Sequence, residues 1–408
     1  MISENAKFWI MLTLALGYNT PKAKKLCQLY PDISFFFEKL QSEGRLCGIL
    51  NRSDLEKLAA VSEADAIAVL DRCSYLGYSV LSIDDEAYPS CLFNIYSPPA
   101  VLYINGVLPD LEECFSIGIV GTRRASHYGI ENSYKFGYSL AKCGVVVISG
   151  GALGVDCASH TGALAANGIT VCVLGCGINY RYLSENAEMR RAITANGAVV
   201  SEYPPDEEPK NFYFPARNRI IAALSDGVLM IEAGKKSGAL ITADLALEMG
   251  RDVFALLGNN NPQNAGSNGR IKEGTAIPVT DYTDILANYG NLAIDIIEAD
   301  PDVPTDVNFQ SIPVKGNNLV PQHSQETSTV NKKPPVPDTP QTAPDKKPEI
   351  SLTGDAKKVY DVLGYEPVHI DTIAEKLDMS VSRVLSNLTL LEIRGIVRAL
   401  QGRNFVLK

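Results

Sequence analysis

VVVISGGALGVDCASHTGAL, residues 145–164, decides the reading of this chain. A β-branched run, 145–148, reads as a short buried strand, and the glycines at 150 and 151 break it. A small-residue stretch after Gly154 then reads as a helix. Strand, glycine turn and helix in that order make an anion-sized cradle of backbone N–H groups, to which the helix N-terminus adds its own donors. Ser149, Gly150 and Gly151 are therefore candidate phosphate contacts, with Gly154 as the residue that turns the chain into the helix. Glycines also close tight packing corners, so the turn alone leaves a purely structural reading open. The chain carries no GxxxxGK[ST], and its first turn has no GxGxxG, which argues against a magnesium-dependent P-loop and a dinucleotide fingerprint.

Outward from this stretch, apolar strands at 117–120, 170–174, 198–201, 227–231 and 252–256 alternate with helical segments at 129–143, 154–167, 184–196, 219–225 and 239–250. Short, nearly continuous apolar strands separated by helices specify an α/β fold: a doubly wound, mostly parallel sheet covered on both faces. Ligands of such sheets sit at the carboxyl ends of the strands.

Those ends carry the cations. Gly121 opens GTRRAS, which places Arg123 and Arg124 just beyond a strand, where forked guanidinium donors suit phosphate oxygens. Arg217 and Arg219 flank Asn218 near the expected start of a helix, a place where cations oppose the helix dipole unless an anion sits among them. The alternative is internal pairing with Asp156, Glu202 or Glu232. A third loop holds Gly234, Lys235, Lys236, Ser237, Gly238 and Thr242, and a fourth, GNNNPQNAGSNG at 258–269, lies beside Arg270 and Lys272. Convergence of these loops would hold consecutive phosphates of a flexible single strand. Asp156 reads as a structural partner for backbone or arginine, and His160 equally as a core histidine or a proton donor. Spacing supplies no poised acid, base or nucleophile, so no catalytic residue and no cofactor is assigned.

The whole chain is acidic, with a net charge of -10 from 37 basic and 47 acidic side chains, so any nucleic-acid contact must be local rather than a bulk coating. Nine cysteines fall between Cys27 and Cys176 without paired CxxC knuckles, which argues against structural zinc and a disulfide framework and for a reducing, cytoplasmic setting. The apolar run 8–16 is too short to span a bilayer and reads as a buried helix, so no membrane insertion is expected.

Composition divides the chain into a helical domain (1–78), a connecting segment of extended chain packed on a surface (79–111), the α/β domain (112–298), a flexible Pro/Ser/Thr/Gln-rich linker (299–350) and a C-terminal domain (351–408). In the last, helices at 356–363, 370–377 and 380–394 precede a hairpin, 396–400 with 405–407, which is a winged helix. Its third helix carries Ser382, Arg383, Ser386 and Asn387, but the domain has eight basic and seven acidic residues. Protein docking or regulation therefore stands beside DNA reading as its role.

The segments GTRRASHYG (121–129), SGGALGVDCASHTGAL (149–164), TVCVLGCG (170–177), SEYP (201–204), FPARNRIIAALS (214–225) and IEAGKKSGALITADLALEMGRDVFAL (231–256) resemble, in this order, the DNA-processing protein A family, also called Smf or DprA. The resemblance implies an extended Rossmann-type core, a helical N-terminal domain of sterile-alpha-motif type and a C-terminal winged helix. It further implies a homodimer that binds single-stranded DNA without strong sequence preference and loads a RecA-type recombinase during transformation or recombination. Arg123 is the DNA contact it carries over, and Arg123, Arg217, Arg219 and Lys235 are expected to line one pocket. Two places depart from the family. Tyr182-Leu183 replaces a YP pair, with Ser184 where a lysine is often offered to DNA and Arg181, Arg190 or Arg191 as candidate substitutes. Leu257-Gly258 and the asparagine-rich stretch replace a PG turn. The competing readings are a phosphoribohydrolase-like enzyme, for which Glu232 and Gly234 are vaguely similar but GGxGTxxE is absent, and a winged-helix regulator with an α/β sensing core.

Overall fold

Nine strands form one sheet in the order β1-β2-β6-β5-β4-β3-β7-β8-β9. They are β1 (Ser79–Ser82), β2 (Val101–Gly106), β3 (Ser116–Val120), β4 (Val146–Ser149), β5 (Thr170–Leu174), β6 (Ala198–Ser201), β7 (Gly227–Met230), β8 (Asp252–Leu256) and β9 (Ile277–Val279). The structure is a computed structural model and describes residues 5–43, 48–290, 302–304, 307–315, 355–364, 368–377, 379–393, 396–400 and 404–407. The chain divides into two compact units, Met1–His323 and Ser324–Lys408.

From β6 to β9 every neighbouring pair is parallel, and the strand order reverses between β3 and β7. The strands are buried on both sides because successive side chains feed different cores. Val146, Ile148, Val228 and Met230 pack with helices α10 (Tyr213–Leu224) and α11 (Gly238–Glu248). Val147, Leu229 and Ile231 pack with α7 (His127–Lys142) and α8 (Val155–Ala165). This period-two partition is why the β-branched run at 145–148 is apolar throughout. Helices α7 and α8 approach closely because Gly137 and Gly162 lie at their contact. A Cβ on Gly162 would strike the Tyr134 carbonyl, and one on Gly137 the Ser159 carbonyl.

The connecting segment departs from expectation. Rather than lying on a surface, residues 79–82 and 101–106 extend the sheet as antiparallel strands, with Ile104 opposite Val200 on β6. Leu102 and Tyr103 are completely buried. Among the described residues, five helices precede them: α1 (Ala6–Leu16), α2 (Lys22–Leu29), α3 (Ile33–Glu43), α4 (Arg52–Ala59) and α5 (Glu63–Leu76). Asn51 with Asp54 and Ser62 with Asp65 form reciprocal capping boxes that start α4 and α5. Trp9, Ile10, Leu26 and Phe36 bury themselves in a core continuous with Val80 and Leu102, so these helices and the sheet share one interior.

The linker expectation, 299–350, is also corrected in part. Residues 307–315 fold back onto the α/β core as a strap: Ile312 is buried, and Phe309 meets Tyr134 edge-on at 5.4 Å. Val307, Phe309, Ile312 and Val314 supply apolar surface that the polar composition of the region hides. The stretch 316–354 lies outside the described residues.

In the C-terminal unit, helices Asp355–Val362, Ile370–Leu377 and Val381–Ile393 pack Val359, Ile373, Val384, Leu388 and Leu391 around one core. A small antiparallel sheet places Asn404–Leu407 between Val368–His369 and Val397–Leu400. This is a winged helix. Arg383 on its third helix is committed to Asp355, at 2.6 Å; the Ser382 side chain lies outside the described residues.

Candidate nucleic-acid interface

At the sheet's point of reversal, the loops after β3 and β7 and the first turn of α11 surround an open cavity of about 610 Å³. Arg123, Arg124, Arg217, Asn218, Ser237, Gly238 and Thr242 line it, together with Gly121 and Asp156. The position follows the topology: neighbouring strands whose connections leave in opposite directions open a crevice at their carboxyl ends.

Glu232, at the end of β7 and 1% exposed, builds the arginine loop. Its carboxylate accepts from the Ser126 amide at 2.9 Å and the Ser126 hydroxyl at 2.5 Å, while its carbonyl accepts from the Thr122 amide. Ser126 in turn caps α7 through the Gly129 amide. Arg123 and Arg124 are thereby held on a fixed turn, with the Arg123 guanidinium over the Phe214 ring at 5.1 Å. Tyr182 meets that same ring at 5.3 Å, so an aromatic wall backs the arginine.

The glycine cradle does not face the cavity as an empty anion site. Asp156 fills it, accepting from the Ala152 and Gly150 amides. The next donors are also taken: the Gly154 amide donates to the Pro313 carbonyl at 2.8 Å and the Val155 amide to the Thr122 carbonyl. Ser149 is wholly buried and its hydroxyl donates to the Ile119 carbonyl at 2.6 Å. Ser149 and Gly150 are thus supports, and Gly151, whose carbonyl accepts from the Asn186 amide, lies outside the cavity lining, so the expectation that the three contact phosphate is corrected: the fold has already placed a carboxylate where a phosphate was read. Burial pushes the Asp156 carboxyl above its ordinary value, against the pull of Arg217, the two amides and Arg123.

The arginines on α10 separate by role. The helix begins at Tyr213, not at 219, so Arg217 and Arg219 lie well inside it. Arg217 is 4% exposed and donates to the Gly150 and Val173 carbonyls, with Asp156 as its countercharge. It lines the cavity floor and locks the ends of β4 and β5. Arg219 turns away altogether. Its guanidinium grips Glu202 with bonds of 2.7 and 2.6 Å and donates to the Ser97 carbonyl at 2.8 Å. The assignment of Arg219 to the DNA pocket is therefore corrected, because residues two apart on a helix point about 200° apart.

Lys235 and Lys236 are exposed on the turn before α11 but outside the cavity lining, so Lys235 too departs from the expected pocket. Arg270 pairs with Asp244 and Glu273. Of the candidate substitutes near Ser184, Arg190 donates to the Tyr182 and Leu183 carbonyls, which shapes that loop. In the asparagine-rich stretch, Asn264 is buried and bonds to the Asn259 carbonyl, so these amides hold their own turn.

His160 is a core residue. The Thr170 hydroxyl spends its proton on the Val147 carbonyl at 2.6 Å, so His160 Nδ1 donates to that hydroxyl at 2.7 Å. Burial holds the imidazole down to about 3, and it stays neutral. Sequence reasoning missed Lys315, which reaches the cavity from the strap, and the aromatic pair Phe214 and Tyr182. A proline two residues into α10 and an aromatic just before it were the available signals for the true helix start. Among the described residues no helix is long and apolar enough to cross a membrane.

The comparisons agree with this architecture. The model of the family described as DNA recombination-mediator protein A matches residues 79–290, and that of the DprA winged helix domain matches 341–403. A Synechocystis protein named Smf is 35% identical over 80% of this chain and 79% of its own length. The DNA processing protein DprA of Streptococcus pneumoniae is 40% identical over 51% of this chain and 73% of its own. The X-ray structure of DNA processing protein A from Streptococcus pneumoniae superposes with a TM-score of 0.58 at 32% identity, covering 70% of this chain and 98% of that one. The matched span takes in the two antiparallel strands as well as the arginine loop and α10. With sheet, crevice and winged helix all accounted for, the chain belongs to the DNA recombination-mediator protein A family.

Proposed function

We propose that this chain binds single-stranded DNA across the cavity at the β3/β7 reversal and delivers it, as a homodimer, to a RecA-type recombinase. The observation that carries the reading is local charge. Among the described residues that line the cavity, Arg123, Arg124, Arg217 and Lys315 stand against the single carboxylate of Asp156, in a chain whose net charge is -10. Arg123 and Arg124 are the outward-facing arginines, so they meet backbone phosphates, assisted by Asn218 and the first turn of α11. Phe214 and Tyr182 give bases an aromatic surface beside those phosphates, an arrangement that suits a flexible single strand better than a stacked duplex. Contacts of this kind read backbone and π-faces, so sequence preference is weak.

Fluorescence anisotropy with labelled single-stranded and duplex oligonucleotides of equal length, at two salt concentrations, tests the binding. Salt-dependent preference for the single strand is expected, and equal or absent binding refutes it. Recombinase delivery is tested separately, by asking whether the protein speeds RecA filament formation on strands coated with single-strand-binding protein.

A further inference from the structure

The strap 307–315 ends where the cavity begins. Its Pro313 carbonyl closes the Gly154 amide at 2.8 Å, and two residues on the Lys315 amide donates to the Arg123 carbonyl, also at 2.8 Å. The backbone of the strap is thus stitched to the arginine loop after β3 and to the glycine turn between β4 and α8. Its anchor is apolar: Ile312 is buried, and Phe309 lies against Tyr134 and His127. The Lys315 side chain is exposed, forms part of the cavity lining and stands on the rim that carries Arg123 and Arg124.

We propose that Lys315 is a phosphate-binding residue of the DNA cavity, held in place by the strap, so that the strap is one wall of the site and not merely the start of a connection to the C-terminal unit. The proposal rests on the single-strand-binding reading above and adds to it a cation from outside the contiguous α/β segment. The hydrogen bond to the Arg123 carbonyl couples the two cations, since displacing the strap withdraws Lys315 and frees the Arg123 turn together. A lysine is a flexible point charge, suited to a phosphate whose position varies along a mobile strand.

The test uses the full chain and a labelled oligothymidylate. Lys315→Ala should weaken binding several-fold and lower the slope of log affinity against log salt by about 0.7, the share of one phosphate contact on a single strand. Lys315→Glu should weaken it further. Lys142→Ala, which removes an exposed lysine at the far end of α7, serves as the charge-matched control. Ile312→Asp should release the strap and weaken binding at least as much as Lys315→Ala does, because the Arg123 turn loses its strap contact as well, and adding Lys315→Ala to it should change little more. If Lys315→Ala behaves as the Lys142→Ala control while Arg123→Ala still weakens binding, the strap proposal is overturned and the cavity reading stands. Absence of binding by the unaltered protein overturns both. Thermal unfolding of each variant separates a lost contact from a lost fold; Lys315 is exposed, so its variants should melt as the parent does.

Discussion

Arg217 and Arg219 stand two positions apart on α10 and serve opposite sides of it: Arg217 reaches the Gly150 carbonyl under the cavity, and Arg219 grips Glu202 in the interior. One helix therefore closes the floor of the site with one guanidinium and joins the sheet to the preceding segment with the other.

Arg219→Ala leaves Glu202 charged and buried without its partner, a change that costs about 3–5 kcal/mol when such a pair is broken on one side. Urea denaturation should show the loss directly. The affinity of the remaining folded protein for single-stranded DNA should be unaltered, because the pair lies away from the cavity lining.

Arg123→Ala should behave in the opposite way. Stability stays near that of the parent, while single-strand affinity falls by about 1.5–3 kcal/mol, the worth of a hydrogen bond to a charged group. Arg123→Lys should recover only part of it, since the fork and the stacking over Phe214 are both lost. Anisotropy titrations with the three proteins check the order.

Phe214→Leu keeps an apolar side chain in α10 but removes the ring beneath Arg123. Loss of the cation–π contact, about 0.5–1 kcal/mol at exposed sites, and of a stacking surface for bases should weaken single-strand binding more than it lowers the melting temperature.

His160 gives a pH signature of stability. Its folded value, about 3, lies below the ordinary imidazole value of 6.5, so its contribution is fully present above pH 6.5. As the pH falls from 6.5 toward 3 the unfolded chain takes up a proton that the folded chain refuses, and stability declines by about 1.4 kcal/mol per pH unit from this group. Asp156 works in the other sense. Its folded value is raised, so its contribution is greatest below the ordinary carboxylate value and is lost as pH rises through the folded one. Denaturation midpoints across this range should fall less steeply on acidification in His160→Gln than in the parent.

Gly162→Ala should destabilise by about 1–3 kcal/mol through overpacking, because the added methyl meets the Tyr134 carbonyl at the α7–α8 contact. Gly144→Ala is the contrasting case: nothing lies near its Cβ direction, and its cost comes from a φ of 80°.

How far the residues alone reach depends on whether a feature is local. The central strands were legible because 145–148, 171–174 and 228–230 are apolar at every successive position, as a sheet covered on both sides requires. The arginine loop was legible as a loop, since Gly121 follows a strand directly. Strands 79–82 and 101–106 were not, because their pairing with one another and with β6 is remote in sequence and the prolines between them suggest surface chain. Arg219 was misplaced because the start of α10 was read six residues late, which hides the rotation that parts it from Arg217. The cradle misled for a chemical reason: a backbone nest selects an anion but does not say whose, and Asp156 is near enough to be that anion. Lys315 escaped notice because the polar composition of residues 299–350 outweighs four apolar side chains that happen to find a surface.

The antiparallel pairing of Ile104 with Val200 sets an order of events during synthesis. The first five helices and the β1–β2 hairpin leave the ribosome before the strand that must cover the outer edge of β2 has been made. Until Ser201 emerges, an edge that includes the apolar residues Tyr103 and Ile104 stays open to pairing with other chains. A translational pause between the two strands would prolong that exposure, and synonymous changes that slow elongation over residues 107–197 should lower the soluble yield without altering the finished protein.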